Sequence, residues 1–382
     1  MSVPSAVSST RQVPLLDLHP QNGPLRQEIE AAVARVFDSQ RFILGPDHAE
    51  FEREMAAHLG IAHAIGCANG SDAILLALMA AGIGPGDEVA VPSFTFFATA
   101  GSVSRTGATP VFVDIQPDSF NLDPAALEEA ARSHPKLKAV IPVHLFGGSA
   151  DMDPILDVAA RHGWTVIEDA AQSIGATYRG RPCMSLGAMG TLSFFPSKNL
   201  GAFGDAGMVV TTDKALADVL SALRVHGSRE KYRHEWIGFN SRMDTLQAAI
   251  LRVKLPHLNG WTEARQRNAA RYQQLLAPAG LPISVPQAAD WQTYHAWNQF
   301  VIRTQRRDEL KAFLASQGVG TEIYYPIPLH RQPCYLSLGY AEGALPESER
   351  ACREVLALPI HSGLLDGDIE YVCDCLVRFF AA

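Results

Sequence analysis

The sequence predicts a fold of the α/β class, in which a large, mostly parallel sheet domain is followed by a smaller α+β C-terminal domain. This prediction rests on two observations. Apolar runs with β-branched residues alternate with helix-like segments through the first two thirds of the 382 residues, a pattern typical of parallel strands joined by helices. A chain of this length is also too long for one compact core. We therefore divide it into a large domain, 1–265, and a small domain, 266–382.

The large domain begins with two predicted amphipathic helices, 23–38 and 47–58, joined by a turn at 42–46. Seven apolar runs predict its strands, at 64–67, 88–91, 110–113, 139–143, 165–167, 191–195 and 207–211. Five further helices, several of which start with Asp or Ser, are predicted at 71–81, 96–104, 124–132, 153–161 and 214–224. The alternation implies that helices cover both faces of the sheet.

One long helix is predicted over 244–274 and is interrupted at Pro256, because proline lacks the N–H that a helix interior needs. The domain boundary then falls near 265–280. The elements predicted in the small domain are a strand at 296–303 and helices at 308–317 and 347–356.

The composition disfavours several classes of partner. Forty acidic against 32 basic side chains give a net charge of −8, with no block of Lys or Arg, so neither nucleic acid nor a membrane surface is expected to bind. The longest apolar stretch, 73–83, is shorter than the roughly 20 residues that span a bilayer, and residues 1–12 lack the features of a signal peptide. Six cysteines without a CxxC pair favour reduced thiols, a cytoplasmic location and no metal site.

Three segments with polar residues follow predicted strands, where open α/β sheets bind ligands. In the first, 67–73, a turn of small residues leads into a helix, so free N–H groups and the helix dipole would favour a phosphate. An ordinary helix cap by Ser71 or Asp72 is the alternative.

In the second segment, Glu168 and Asp169 end an apolar strand, where burial of a carboxylate is costly unless a cation or a hydrogen-bond donor is nearby. Asp169 could pair with a protonated ring nitrogen, or again cap a helix.

In the third segment, Lys198 follows an apolar strand among residues that would desolvate it and lower its pKa toward that of an amine nucleophile. A solvated surface lysine is the alternative. Together, a phosphate cup, a carboxylate and a lysine at three strand ends match the needs of pyridoxal 5′-phosphate. Its phosphate needs N–H donors, its ring nitrogen needs an anion, and its aldehyde needs an amine.

Further motifs occur in order along the chain, at 14–18, 42–46, 92–96, 168–172, 194–198, 238–242, 325–329 and 358–361. With these motifs the sequence resembles the DegT-type sugar aminotransferase family, fold type I enzymes that use pyridoxal 5′-phosphate. The resemblance covers nearly the whole chain. It implies the fold type I aminotransferase architecture and a homodimer with composite active sites.

The resemblance also implies roles around the cofactor ring. Lys198 would form the Schiff base and then move the proton between substrate and cofactor carbons, while Asp169 would hold the ring nitrogen. Gln172 would lie beside the phenolic oxygen of the ring. Phe96 would stack on the ring face, although without the resemblance it could be one more apolar residue at the start of a helix.

Five other residues match phosphate-binding or substrate-binding positions of the family. Gly70, Ser71 and Ser193 match positions that bind the phosphate, and Ser71 keeps the hydroxyl of the Thr that is commoner there. Asn240 would reach the phosphate in the neighbouring subunit. Arg242 would lie at the same boundary near substrate, and a salt bridge that caps the following helix is an equal alternative.

Tyr324, Tyr325 and His330 belong to a loop that approaches the sugar in the family, and two prolines make the loop rigid. Packing of its aromatic rings at the domain interface is the alternative. Of the three, Tyr325 is the residue that we expect to contact substrate.

The predicted activity is transamination of a nucleotide-linked ketosugar, with L-glutamate as the amino donor. The stretch 240–249 and the Tyr325 loop look most like family members that aminate C3 of a 3-keto sugar, whereas C4 ketosugars and an inositol ketone are the alternatives. A related branch that dehydrates the sugar carries His in place of the lysine, so Lys198 disfavours it. A cofactor-binding regulatory protein without turnover is the alternative from another class.

Overall fold

A computed structural model describes residues 11–381, so most of the segment 1–12, expected to lack a signal peptide, lies outside the described residues. The strands are β1 (His63–Cys67), β2 (Glu88–Pro92), β3 (Thr109–Val113), β4 (Leu137–Val140), β5 (Thr165–Asp169), β6 (Thr177–Tyr178), β7 (Arg181–Pro182), β8 (Met189–Ser193), β9 (Gly207–Thr211), β10 (Ser228–Glu230), β11 (Arg233–His234), β12 (Gln292–Tyr294), β13 (Phe300–Arg303) and β14 (Val355–Leu358). The helices are α1 (His19–Asn22), α2 (Arg26–Ser39), α3 (Pro46–Leu59), α4 (Gly70–Ala80), α5 (Ala98–Arg105), α6 (Pro124–Ser133), α7 (Met152–His162), α8 (Lys214–Leu223), α9 (Thr245–Lys254), α10 (Leu258–Leu276), α11 (Arg307–Ser316), α12 (Pro346–Glu354) and α13 (Asp366–Ala381).

The large sheet has seven strands in the order β1-β9-β8-β5-β4-β2-β3. Neighbouring strands from β8 to β3 run parallel, with Ile167 of β5 opposite Met189 of β8. Strand β9 runs antiparallel to both β1 and β8. The predicted mostly parallel sheet is confirmed, and all seven predicted strands belong to it. The loops that follow β1, β2, β5 and β8 therefore meet at one edge of the sheet.

Helices cover both faces of this sheet. In β2, Val89 and Val91 pack in one core with residues of α4, α5 and α8, while Ala90 packs in another with residues of α6 and α7. Toward the β8–β9 side, Leu192 and Met208 pack with residues of α3 and α9. Burial of both faces explains why the strands appear in the sequence as nearly continuous apolar runs.

Two helices of the C-terminal part depart from prediction. The helix predicted over 347–356 ends at Glu354, and Val355–Leu358 pairs with β13 as a strand, because its apolar residues fill a buried ladder. Helix α13 has no counterpart among the predicted elements, although Ile369, Val372 and Leu376 form part of a buried stripe. The interruption at Pro256 is confirmed, because a short 3-10 turn separates α9 from α10.

Arg265 ties α10 to the loop before β13 and to the segment after β14. Its buried guanidinium donates to three backbone carbonyl oxygens, those of Trp297 (3.0 Å), Asn298 (3.2 Å) and Ile360 (2.7 Å). The backbone at Trp297 has a φ of 44°, outside the extended region, so the strand predicted over 296–303 begins only at Phe300. Helix α10 runs unbroken through position 265, and the division into 1–265 and 266–382 stays a prediction.

No helix within residues 11–381 is long and apolar enough to cross a membrane. Among the same residues, no group of three His, Cys, Asp or Glu side chains could hold a metal ion. The six cysteines are free thiols, and all except Cys334 are buried.

His295 makes the stability of the fold depend on pH. Burial lowers the pKa of His295 from 6.5 to about 3. Its neutral ring stacks on Trp297 with centroids 3.9 Å apart, and its Nδ1 accepts a hydrogen bond from the Trp297 N–H. Below pH 6.5, His295 takes up a proton in the unfolded chain but stays neutral in the folded chain. The contribution of His295 to the free energy of unfolding is therefore complete above pH 6.5 and is lost as the pH falls toward 3. We expect a loss of about 2 kcal/mol in the free energy of unfolding between pH 6.5 and pH 5.

Urea unfolding at pH 7 and pH 5 measures this effect. The His295→Gln variant is expected to lose about 2 kcal/mol less than the wild type over this range, because its side chain does not titrate. The exposed His234, replaced by Gln, serves as the control and should keep the wild-type dependence on pH. Equal losses in the wild type and in His295→Gln would contradict the prediction.

Candidate active site

A cavity of about 840 Å³ opens at the carboxyl ends of β1, β2, β5 and β8. Nine of the residues predicted to form the site line it: Gly70, Ser71, Phe96, Asp169, Gln172, Ser193, Lys198, Tyr324 and Tyr325. The parallel topology explains this convergence, because loops that follow parallel strands gather at one edge of a sheet. The three strand-end segments therefore form one site.

The phosphate cup consists of Gly70, Ser71 and Ser193. The cap of α4 is Asn69, whose Oδ1 accepts a hydrogen bond from the Asp72 N–H at 2.8 Å, so neither Ser71 nor Asp72 is the cap. Gly70 and Ser71 thus lie in the first turn, where backbone N–H groups have no acceptor within the helix. A Cβ on Gly70 would lie 2.7 Å from the Ser193 Cβ, so only glycine allows this close approach. The free donors and the positive end of the helix dipole suit a phosphate.

The two acidic residues at the end of β5 have different tasks because successive side chains on a strand point to opposite faces. The fully buried Glu168 carboxylate is structural and is held by the N–H groups of Met184, Leu186 and Gly187 and by His144 Nε2. Asp169 faces the cavity, where Thr99 Oγ1 donates to it at 2.8 Å and the Ala171 N–H at 3.1 Å. Burial raises the pKa of Asp169, although both hydrogen bonds and the Lys198 charge oppose the shift. A protonated ring nitrogen beside Asp169 would favour its ionised form.

Lys198 lies in the loop after β8 and lines the same cavity as Asp169. Burial lowers the pKa of Lys198 to about 8, although attraction to Asp169 opposes the shift. The apolar neighbours in the sequence predict this direction. A lowered pKa increases the neutral fraction of the amine near pH 7, and the neutral amine is the form that attacks an aldehyde or accepts a proton.

Gln172 joins two walls of the cavity. Its Oε1 accepts from the Phe146 N–H at 2.7 Å, and its Nε2 donates to the Tyr325 hydroxyl at 3.2 Å. Phe96 is 58% exposed at the cavity edge, with its ring centroid 6.2 Å from that of Tyr325. An apolar ring left exposed beside a cavity is available to stack on a flat ligand.

Three predicted site residues do not line this cavity. His330 is fully buried, with Nδ1 2.6 Å from Ser93 Oγ and Nε2 3.2 Å from Glu349 Oε1. The structure therefore places His330 behind the loop, where its ring bonds to two side chains and does not line the cavity. Asn240 is exposed. Arg242 Nε is buried with no hydrogen-bond partner among residues 11–381. The role predicted for Asn240 and Arg242 in a second subunit stays a prediction.

Sequence reasoning missed several residues at or beside the cavity, among them Arg105, Asp205 and Thr99. Arg105 and Asp205 line it, and Arg105 Nη1 lies 3.3 Å from the Asp72 carboxylate. Thr99 holds Asp169 from α5. The sequence signal for Thr99 was its spacing, three residues after Phe96 in a predicted helix, which places both on one helix face.

The donor set fits pyridoxal 5′-phosphate. The cup supplies backbone donors and a hydroxyl, Asp169 is a buried carboxylate that lacks a strong cationic partner, and Lys198 is an amine of lowered pKa. This fold and this arrangement of lysine, carboxylate and cup define an aminotransferase. The chain belongs to the DegT/DnrJ/EryC1/StrS aminotransferase family, whose model matches residues 24–377.

Individual relatives are similar over most of their length. A pleiotropic regulatory protein of Geobacillus stearothermophilus is 52% identical over 369 residues, 96% of this chain and 98% of that protein. A dTDP-3-amino-3,4,6-trideoxy-α-D-glucose transaminase of Streptomyces venezuelae is 47% identical over 359 residues, 93% of each chain. The crystal structure of S. venezuelae DesV in complex with a ketimine intermediate aligns with a TM-score of 0.94 at 47% identity, covering 98% of this chain and 100% of that chain. The predicted family, fold and enzyme class are confirmed.

Proposed function

We propose that the protein is a cytoplasmic, pyridoxal-phosphate-dependent enzyme that transfers an amino group from L-glutamate to C3 of a nucleotide-linked 3-keto sugar. The observation that supports this most is that Lys198, Asp169 and the phosphate cup line one cavity. The S. venezuelae transaminase is named for a dTDP-linked 3-amino sugar, which supports both the substrate class and the position.

Each lining residue has a task in this proposal. Pyridoxal 5′-phosphate, when bound, supplies an electron sink for the negative charge that develops on the donor's α-carbon. Asp169, a buried carboxylate, would hold the ring nitrogen and favour its protonated form. Lys198 would hold the cofactor through its aldehyde, and its neutral amine would take up the donor's α-proton. Gln172 would lie beside the phenolic oxygen of the ring, and Phe96 would stack on the ring face. Tyr325, whose hydroxyl accepts from Gln172, would contact the substrate.

The charge of the cavity supports a site completed by a second subunit. The cations that line it are Lys198 and Arg105, and Arg105 is already paired with Asp72. A nucleotide diphosphate and the carboxylates of glutamate need more positive charge than one chain offers. The β10–β11 hairpin carries exposed Arg229, Lys231 and Arg233, and Arg242 follows it; Arg229 Nε lies 3.5 Å from Glu235 and Arg233 Nη1 3.8 Å from Glu230. In a homodimer these basic residues would serve the partner's cavity.

Exposed apolar rings near the cavity also favour a dimer. Phe96, Phe195 and Phe203 are 58%, 52% and 47% exposed, and the first two line the cavity. Ile237, next to the hairpin, is 94% exposed. Clustered apolar exposure of this kind is typical of a surface that a partner covers.

A visible absorption spectrum tests the proposal. The purified protein incubated with pyridoxal 5′-phosphate is expected to show a visible band that decreases when L-glutamate is added, because the amino group moves to the cofactor. A nucleotide-linked 3-keto sugar should then restore the band, and NMR of the product should place nitrogen on C3.

The alternative functions predict different results in the same experiment. If only a 4-keto sugar or only an inositol ketone restores the visible band, the substrate belongs to that class of ketone instead. A band that forms and does not respond to any amino donor would indicate a cofactor-binding protein without turnover.

A further inference from the structure

We propose that Lys254 and Gln247, on one face of α9, are positioning residues that hold the loop carrying Lys198 in its reactive geometry. The inference rests on the proposed function, because it concerns the lysine of that site. Neither side chain lines the cavity, so any effect on the reaction must pass through the loop.

The catalytic loop, residues 194–202, is closed on itself. The Ala202 N–H donates to the Phe194 carbonyl at 2.8 Å, and the Lys198 N–H donates to the Phe195 carbonyl at 2.8 Å. A Cβ on Gly201 would lie 2.2 Å from the Pro196 carbonyl oxygen, so the turn is too tight for a side chain there. Because the loop is this compact, a shift at Gly201 is transmitted to Lys198 within a few bonds.

Lys254 fastens this loop from α9. Its side chain is 1% exposed, and its Nζ donates to the Gly201 carbonyl. The Nζ also lies 5.3 Å from the ring centroid of Phe203 and 5.9 Å from that of Trp261. Burial lowers the pKa of Lys254 to about 8, with no carboxylate contributing to the shift.

Burial of an amine without a carboxylate partner costs free energy, because the amine must be desolvated. An apolar side chain of similar length would fill the same space without that cost. What the amine provides, and an apolar residue cannot, is a donor for one particular carbonyl. The position of Gly201 therefore depends on Lys254.

Gln247 acts on the same segment two helical turns earlier, seven residues before Lys254 and on the same face. Its Oε1 accepts from the Phe203 N–H at 2.8 Å, and its Nε2 donates to the Phe203 carbonyl at 3.4 Å. On the opposite side, Asn199 Nδ2 donates to the Ala296 carbonyl at 2.8 Å. The backbone that follows Lys198 is thus held from two directions, with α9 as the rigid support.

Substitution of Lys254 is the test, carried out on the cofactor-loaded protein. Met and Gln side chains both end one atom short of the lysine Nζ, so the pair is matched in length. Lys254→Met removes the donor, whereas Lys254→Gln keeps an N–H that can donate toward the Gly201 carbonyl. We expect Lys254→Met to lower kcat about 10-fold with the KM for the amino donor within about twofold, because alignment is lost and donor binding is not. We also expect the midpoint of the pH titration of the visible band to shift by about half a pH unit, because a looser loop admits water to Lys198.

Ile250→Ala, a core change on the same helix where Ile250 packs against α2, is the control for lost stability. Ile250→Ala should lower Tm yet leave the band midpoint and kcat unchanged. Lys254→Gln should recover most of the wild-type band midpoint and most of the wild-type kcat. If Lys254→Met does not fold, Gln247→Leu replaces it and should shift the midpoint in the same direction. If the band midpoint and kcat of Lys254→Met equal those of Ile250→Ala, the inference is overturned. Failure of the proposed function gives a different result, the lack of a donor-responsive band in the wild type.

Discussion

Replacement of Lys198 by alanine is expected to abolish transamination while the protein still binds pyridoxal 5′-phosphate. The substitution removes both the amine that bonds to the aldehyde and the base that moves the α-proton, so we expect turnover to fall by a factor on the order of 10⁴. The cup and Asp169, which also line the cavity, remain and would hold the phosphate and the ring nitrogen without Lys198. Single-turnover assays with L-glutamate measure the loss, and equilibrium dialysis measures the cofactor that stays bound.

Two control variants separate chemistry from charge. Lys198→Arg keeps a cation in the cavity but lacks a nucleophilic amine, so it should be as inactive as Lys198→Ala. Lys214→Ala removes an exposed lysine that pairs with Asp218 on α8, and should have wild-type turnover. Wild-type turnover in Lys198→Ala would refute the role of Lys198 and with it the proposed mechanism.

The sheet was predictable because each of its strands is buried on both faces. Their central residues, such as 89–91 and 208–210, are apolar and buried, and the structure pairs these runs as expected. The direction of β9 was not predictable from its composition. It follows β8 through a loop, without a crossover helix, and so returns antiparallel. The strands β6, β7, β10 and β11 have two or three residues each, too few to show a period.

The site was predictable where its residues adjoin strand ends in sequence, as Asp169 and Lys198 do. Contacts between distant segments left no such signal. The partners of His330 are Ser93, 237 residues away, and Glu349, 19 residues away, so no local pattern reveals that the imidazole is buried. The bond from Thr99 to Asp169 joins residues 70 positions apart. Such pairings depend on how the helices pack, which a single sequence does not specify.

A composite active site predicts that two inactive variants restore each other. One chain carries Lys198→Ala, and the other carries Asn240→Ala together with Arg242→Ala. Each homodimer should be inactive, the first because it lacks the amine and the second because its cavities lack the partner's phosphate and substrate contacts. A heterodimer contains one damaged site and one site in which Lys198 of one chain meets Asn240 and Arg242 of the other.

Random pairing of equal amounts makes about half of the dimers heterodimers, so about a quarter of all sites should be intact. Co-expression of the two chains with different affinity tags is expected to give about 25% of the wild-type turnover, and purification through both tags should raise this to about 50%. The placement of the residues motivates the expectation, because Asn240 is exposed and Arg242 Nε is unpaired among residues 11–381, while neither lines the cavity of its own chain.

The same experiment distinguishes a composite site from a self-contained one. If Asn240 and Arg242 act within their own chain, every site in a heterodimer is damaged and the doubly tagged protein stays inactive. If they only stabilise the fold, the Asn240→Ala/Arg242→Ala chain loses Tm and keeps turnover at low temperature. Activity that appears only in the doubly tagged fraction requires residues of two chains in one site. The cations that the isolated cavity lacks would then come from the second subunit, and a chain of net charge −8 could bind two anionic phosphates through locally placed donors.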